Sequence, residues 1–258
     1  MLGNAQEILD AIRPEDRVLD VGGGVQPLAR ADVVLDITPY EKRGTAGGLI
    51  GEAPERFTRD SWVVMDFSSH ERFPFPDKSF DFVFCSHTLE DIADPFWLCA
   101  EINRVGKRGY IETPSRAAES AIDIAGSWRL NKNYFAGYYH HRWFVEDKDG
   151  SLVFTAKYPL IHAFKEYQIP KRYVTGETKY LPFWWEDNFP FREEQVLSAE
   201  TALHDLRDFR LRFEHDPESR AHLASKLDRL SEKLQQPGTV DFWKGRLTRV
   251  LHRLTVWK

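Results

Sequence analysis

The sequence predicts an α/β fold: a doubly wound, mostly parallel sheet with a C-terminal antiparallel hairpin and a helical C-terminal extension. Three observations predict it. Apolar runs recur at 18–21, 33–37, 62–66, 80–85 and 109–113 without the alternation of half-exposed strands, the pattern of strands buried on both faces of a parallel sheet. A bare turn, Gly22-Gly23-Gly24, lies between the first two. From residue 198 the chain becomes highly charged, with leucines at helical spacing.

The elements follow in order. Asn4, with Glu7 three residues on, starts a helix whose apolar stripe is Ile8, Leu9 and Ile12 and which Pro14 ends. The first strand is 18-VLDV-21, the second 33-VVLDI-37, the third 62-WVVMD-66 and the fourth 80-FDFVFC-85. The compressed span from Gly24 to Asp36, led by Pro27, predicts an unusually short first crossover helix. The glycine-bearing stretch 39–54 reads as a long loop of the kind that serves function. Asp94-Pro95 is an N-cap with proline at the first helical position; Leu98, Ile102 and Val105 follow at helical spacing, and Gly106 closes the helix. The fifth strand is 109-GYIET-113. After a polar and aromatic stretch, 115–142, comes a hairpin: Trp143 to Glu146, a DKDG turn at 147–150, and Leu152 to Lys157. The run 180-YLPFWWEDNFPF-191 either lines an acceptor pocket or fills the gap between the sheet domain and the C-terminal helices. The organisation expected is 1–165 as the sheet domain, 166–197 as an aromatic connecting or substrate region, and 198–258 as the helical extension.

Bulk properties narrow the function. A net charge of −5 argues against a general nucleic-acid binder. Cys85 and Cys99 have neither metal-ligand spacing nor a disulfide framework, which fits a reducing, cytoplasmic setting. The N-terminal stretch is acidic and amphipathic, unlike a signal peptide, and no apolar run approaches the ~20 residues of a membrane span.

Glycines between a strand and a helix let a ligand approach the backbone. A dinucleotide site wants GxGxxG, but Pro27 stands at the third glycine. Asp36 also follows sooner than the acid of that fingerprint. A phosphate-binding P-loop is excluded because there is no GK[ST].

In Asp20-Val21-Gly22-Gly23-Gly24, in the acids Asp36 and Asp66 that end strands two and three, in 74-PFPDKSFDFVFCSHTLEDIADP-95 and in 101-EINRVGKRGYIETPS-115, the chain resembles the class I S-adenosylmethionine-dependent methyltransferases. The resemblance covers roughly 15–160 and implies a Rossmann-like fold with S-adenosylmethionine as cofactor. It implies that Gly22, Gly23 and Gly24 cradle the cofactor, with Asp20 beneath its methionine ammonium. Asp36, followed by Ile37, would hold both ribose hydroxyls; a carboxylate is the natural bidentate acceptor for a diol. Asp66 would take the adenine amino group, with the Phe67 backbone near the ring. Ser86 and His87 would face the reactive end. Asp81 reads as a loop or strand-edge carboxylate and Cys85 as core.

Methyl transfer to an alcohol needs a base, and histidine is the natural one near neutrality. His141 and His140, before the hairpin in 138-YYHHRWFVE-146, are the candidates; Glu90 and Glu112 are carboxylate alternatives. No metal is expected, since adjacent residues on a strand point to opposite faces. The expected partner is a small-molecule or saccharide acceptor. Residues 241–258 carry a local net charge of +4 with Trp243 and Trp257 at the ends. They read as an amphipathic helix that either docks on its own domain or makes peripheral contact with an anionic membrane.

Overall fold

The computed structural model describes residues 5–44, 54–122, 124 and 135–235. The chain forms two compact units: 1–116, 140–156 and 175–194 make unit 1, and 117–139, 157–174 and 195–258 make unit 2. The chain thus leaves and re-enters each unit, where the sequence suggested the consecutive segments 1–165, 166–197 and 198–258.

Unit 1 begins with helix α1 (Ala5–Ala11), then β1 (Val18–Val21), β2 (Val33–Asp36), β3 (Trp62–Val64) and β4 (Phe82–Ser86). Helix α2 (Pro95–Val105) leads to β5 (Arg108–Pro114). Beyond them come β6 (Trp143–Lys148), β7 (Ser151–Ala156), β8 (Tyr180–Glu186) and β9 (Phe191–Glu193). The main sheet has the order β3-β2-β1-β4-β5-β8, parallel except for β8. Its two faces are buried by alternate residues of the same strands. Leu19, Val21, Val83 and Cys85 join Leu98 and Ile102 of α2; Val18, Val34, Phe82 and Phe84 join Ile8 and Ile12 beside α1. This two-sided burial is why the strands read as unbroken apolar runs. Helix α2 starts as its sequence predicts: Asp94 accepts hydrogen bonds from the Phe96 and Trp97 amides at 3.0 and 3.1 Å.

The predicted short helix after Gly24 does not form; 22–32 is a succession of turns. Pro27 lacks an amide to donate, and the Leu28 amide is drawn to Asp20 Oδ2 at 2.7 Å. So few residues then remain before β2 that a helix nucleus is unfavourable.

The hairpin β6–β7 forms over its predicted turn. Asp149 and Gly150 both have positive φ, +56° and +80°, as two-residue hairpin loops favour. It does not extend the main sheet, however. It pairs with β9 in a separate three-stranded sheet, and Val145, Leu152 and Phe154 enter the α2-side core. The antiparallel neighbour of β5 is β8, drawn from the aromatic run. That strand is an edge, where Pro182 is tolerated. Phe183 and Trp185 face the core while Trp184 packs on Tyr110, ring centroids 4.7 Å apart.

Unit 2 contains α3 (Arg116–Ser120), whose first residue belongs to unit 1, then α4 (Pro159–Ala163), α5 (Ala199–Leu211) and α6 (Pro217–Gln235). The described part of the helical extension expected over 198–258 thus holds two helices. Ala117, Ala121, Ile169 and Phe209 form a small core, and Lys157 pairs with Glu119 at 2.6 Å, both side chains buried. Burial and then the neighbouring Lys157 charge push His162 down to about 4. Asn4 and 241–258 lie outside the described residues. No described helix is long and apolar enough to cross a membrane.

Candidate active site

Strand order reverses between β1 and β4, so their carboxyl ends open a crevice, the usual ligand position of such sheets. The glycine turn leaves β1 there. Gly22 has φ +83°, a conformation other residues rarely adopt, and a Cβ on it would fall 2.0 Å from Thr88 Oγ1. A Cβ on Gly24 would fall 2.1 Å from Asp36 Oδ1. Gly23 lies against the Asp20 carboxylate. The turn thus winds between two buried acids with no room for side chains.

Asp20 is fully buried, and burial pushes its carboxyl up to about 7; the Leu28 amide opposes this and the Asp36 charge adds to it. Asp36 ends β2 and accepts from the Gly24 amide (Oδ2, 2.9 Å) and the Thr38 amide (Oδ1, 2.6 Å). Each oxygen keeps a lone pair beyond these bonds. Ile37 is 60% exposed, an apolar surface directly after the acid. Asp66 caps a 3-10 turn over Phe67–Ser69 by accepting from the Ser68 amide at 2.8 Å. Hydrogen bonds from Ser68 hold its carboxyl below the usual range. Phe67 packs with Phe73 and Trp97.

The fourth strand ends at Ser86, and His87 follows with φ +54°, a strained conformation for a non-glycine residue of the sort that collects at functional sites. Its ring lies between two carboxylates: Nδ1 is 3.3 Å from Glu90 Oε1 and Nε2 is 3.4 Å from Glu112 Oε1. Both glutamates are 1% exposed or less, whereas the His87 side chain is 39% exposed. Burial works against charge on this histidine, but the two carboxylates prevail and raise it to about 9. The Tyr180 ring meets His87 edge-on at 5.3 Å.

His140 and His141 stack edge to face at 4.4 Å. The chain directly after them is anchored at this crevice, since the Arg142 and Trp143 amides donate to the Glu90 carbonyl at 2.8 and 3.3 Å. The structure therefore brings together the glycine turn, Asp20, Asp36, Ser86 and His87, and ties the segment of His140 and His141 to Glu90. Asp66 and Phe67 lie at the end of β3, beyond β2. Thr88 went unrecognised in the sequence, and Tyr180 was offered only as part of the aromatic run that lines an acceptor pocket or fills a gap. Thr88 adjoins a singled-out histidine, but only the fold sets it against Gly22; Tyr180 lay in a run without strand signals. Asp81 accepts from the Arg17 amide and Lys107, and Cys85 is buried. Among the described residues no group of three His, Cys, Asp or Glu side chains is arranged to hold a metal ion.

Residues 33–111 match a family model described as a methyltransferase domain. Similar solved structures include a chain of the complex between the Haloferax volcanii Trm112 methyltransferase activator and a methyltransferase: 18% identity over 57% of this chain and 71% of that one, TM-score 0.34. An S-adenosylmethionine-dependent methyltransferase from Thermotoga maritima is 19% identical over 44% and 52%, TM-score 0.29. One from Methanosarcina mazei is 16% identical over 55% and 85%, TM-score 0.33. This chain thus spans about half the length of the Thermotoga protein. No curated protein matches it. Over residues 33–111 the chain is thus similar to a methyltransferase domain, carried on a Rossmann-like, mostly parallel α/β sheet.

Proposed function

We propose that this domain uses S-adenosylmethionine to methylate a small or glycan-type acceptor at oxygen. The observation that carries the reading is the Gly22–Gly24 turn, stripped of side chains and held against Asp20 and Asp36 where the strand order reverses.

The residues present fit such a cofactor. The glycine cradle admits a ligand against backbone. The spare lone pairs of Asp36 suit the two ribose hydroxyls, and exposed Ile37 offers the adenine an apolar face. Asp66 has a carboxylate oxygen beyond the one that caps Ser68, available for the adenine amino group. Asp20 supplies a buried carboxyl group that a methionine ammonium beside it would hold in its ionised form. Bound there, the cofactor supplies a methyl group on a positively charged sulfur.

The chain's own contribution is alignment and proton removal. His87, raised to about 9, holds its proton at neutral pH and is a poor acceptor for another. The role of base then falls to His141 or His140, whose segment the Glu90 carbonyl ties to the crevice. With the cofactor held by the glycine turn, Asp20 and Asp36, the imidazole of His141 or His140 would take the proton of the acceptor hydroxyl while the methyl–oxygen bond forms and the methyl–sulfur bond breaks, leaving a neutral thioether.

Titration calorimetry with S-adenosylmethionine, followed by methyl-transfer assays on pools of sugars and small alcohols, tests the reading. Binding without turnover on any pool favours a non-catalytic scaffold; no binding removes both. The +4 charge of 241–258 favours a second reading, a peripheral enzyme of lipid-linked saccharides. Liposome flotation of the full chain beside a 1–240 variant decides it, and equal behaviour refutes it.

A further inference from the structure

The cluster of His87, Glu90 and Glu112 sets two buried carboxyl groups against one imidazole ring. Apart from the His87 ring, neither Glu90 oxygen nor Glu112 Oε1, all buried, has a hydrogen-bond partner among the described residues. The remaining Glu112 oxygen accepts from Tyr110 at 2.7 Å, a neutral group. The one cation within ion-pairing distance of either carboxylate among the described residues is His87. Two buried carboxylates therefore share one imidazolium. A buried net charge is costly unless something pairs with it.

The position of the cluster indicates what that partner is. Thr88, the residue after His87, fills the space where a side chain on Gly22 would stand, so the cluster abuts the glycine cradle. Cys85, two residues before His87, has its thiol pushed up by burial and then by the charges of Glu90 and Asp20; the two acids bracket the same strand ends.

We propose that the His87–Glu90–Glu112 cluster is a charge sensor that favours a positively charged sulfur in the cofactor cradle over the neutral thioether left once the methyl group has gone. The proposal rests on the S-adenosylmethionine reading above. It assigns to Glu90 discrimination between donor and product, a positioning of charge and not a proton transfer. Loss of the sulfur's charge on reaction then leaves the cluster unbalanced and favours product release.

The test needs no acceptor. Kd values for S-adenosylmethionine and S-adenosylhomocysteine are measured by calorimetry at pH 7.5 for wild type, Glu90→Gln and His87→Gln. Both ligands carry the same ammonium, so the ratio of their Kd values isolates the sulfur. Glu90→Gln is expected to shift that ratio toward the thioether, on the order of 10-fold for a unit charge at a partly solvated site. His87→Gln, which removes the positive charge, is expected to shift it the other way. If Glu90→Gln does not fold, the His87→Gln arm decides alone. Unchanged ratios in folded variants, or equal weakening of both ligands, overturn the proposal and leave the cofactor reading intact. Failure of wild type to bind either ligand defeats the cofactor reading itself.

Discussion

The Gly24 amide donates to Asp36 Oδ2 at 2.9 Å, and there is no space for a side chain between the two residues. One contact thus fixes both the bare turn after β1 and the acid at the end of β2. It also shows why the two features are so near in sequence: the chain from Gly24 returns directly to β2, through turns alone.

Asp36→Ala is therefore expected to do two things. It removes the acceptor of two backbone amides, which should lower stability by about 2–4 kcal/mol, the range for losing charged acceptors of buried donors. It also removes the ribose acceptor of the proposed function, which should weaken S-adenosylmethionine binding about 100-fold, by the same arithmetic of roughly 1.5–3 kcal/mol per charge-assisted bond. Urea unfolding and calorimetry read the two effects separately. A loss of stability with unchanged affinity would refute the ribose placement.

Asp20 predicts a pH dependence of stability. Its carboxyl is raised from 3.8 to about 7 in the fold. The folded chain thus keeps this proton where the unfolded chain has released it. Its stabilising contribution is complete below 3.8 and is lost as pH rises through about 7, at roughly 1.4 kcal/mol per unit of separation. Asp20→Asn keeps an oxygen for the Leu28 amide and abolishes the titration. The variant should gain on wild type in melting temperature between pH 4 and pH 8. Parallel Tm curves across that range would show that Asp20 is not the group responsible.

His87 acts in a later window. Raised from 6.5 to about 9, it contributes stability in full below 6.5, and that contribution disappears as pH rises through about 9. His87→Gln should be most destabilised relative to wild type near pH 6 and indistinguishable from it near pH 10. Direct titration of the ring by NMR checks the cause: a midpoint near 6.5 would mean the two glutamates do not hold the proton there.

The legible part of this molecule was the part whose signals are local. Strands β1, β2, β4 and β5 read as apolar runs because both sheet faces bury them, and Asp94-Pro95 announced α2 because an N-cap needs only its next two or three residues. The pairing of strands was less legible. Residues 143–157 showed a hairpin, but nothing in them tells which sheet they join. In β8 the alternation of Phe183, Trp184 and Trp185 was hidden because Trp184 faces outward against Tyr110 and Phe82, an aromatic surface that only the folded sheet creates. In the candidate site, Asp20, Asp36 and His87 were singled out through motif positions. The contact of His87 with Glu112 was invisible, because Glu112 reaches it from another strand.

The junction of α2 with β8 supplies the last prediction. Lys78, at φ +51°, donates through Nζ to the carbonyls of Asn103 at 2.8 Å and Gly106 at 2.9 Å, at the C-terminal end of α2. It also reaches the Asp187 carbonyl in the turn after β8. A cation suits a helix C-terminus, where unpaired carbonyls concentrate negative charge. The Asn103 side chain fastens the same turn by bonding both the amide and the carbonyl of Phe189, at 3.0 and 2.9 Å. Lys78→Met keeps most of the side chain's length while removing every bond the ammonium donates, including a longer one to Asn188 Oδ1 at 3.3 Å, so it should cost about 2 kcal/mol. Asn103→Ala should cost about 1–2 kcal/mol by the same reasoning. Because both residues tie down one turn, the double variant should lose less than the sum of the two. Urea unfolding of the four proteins gives the coupling, and strict additivity would show that the two side chains anchor β8 independently.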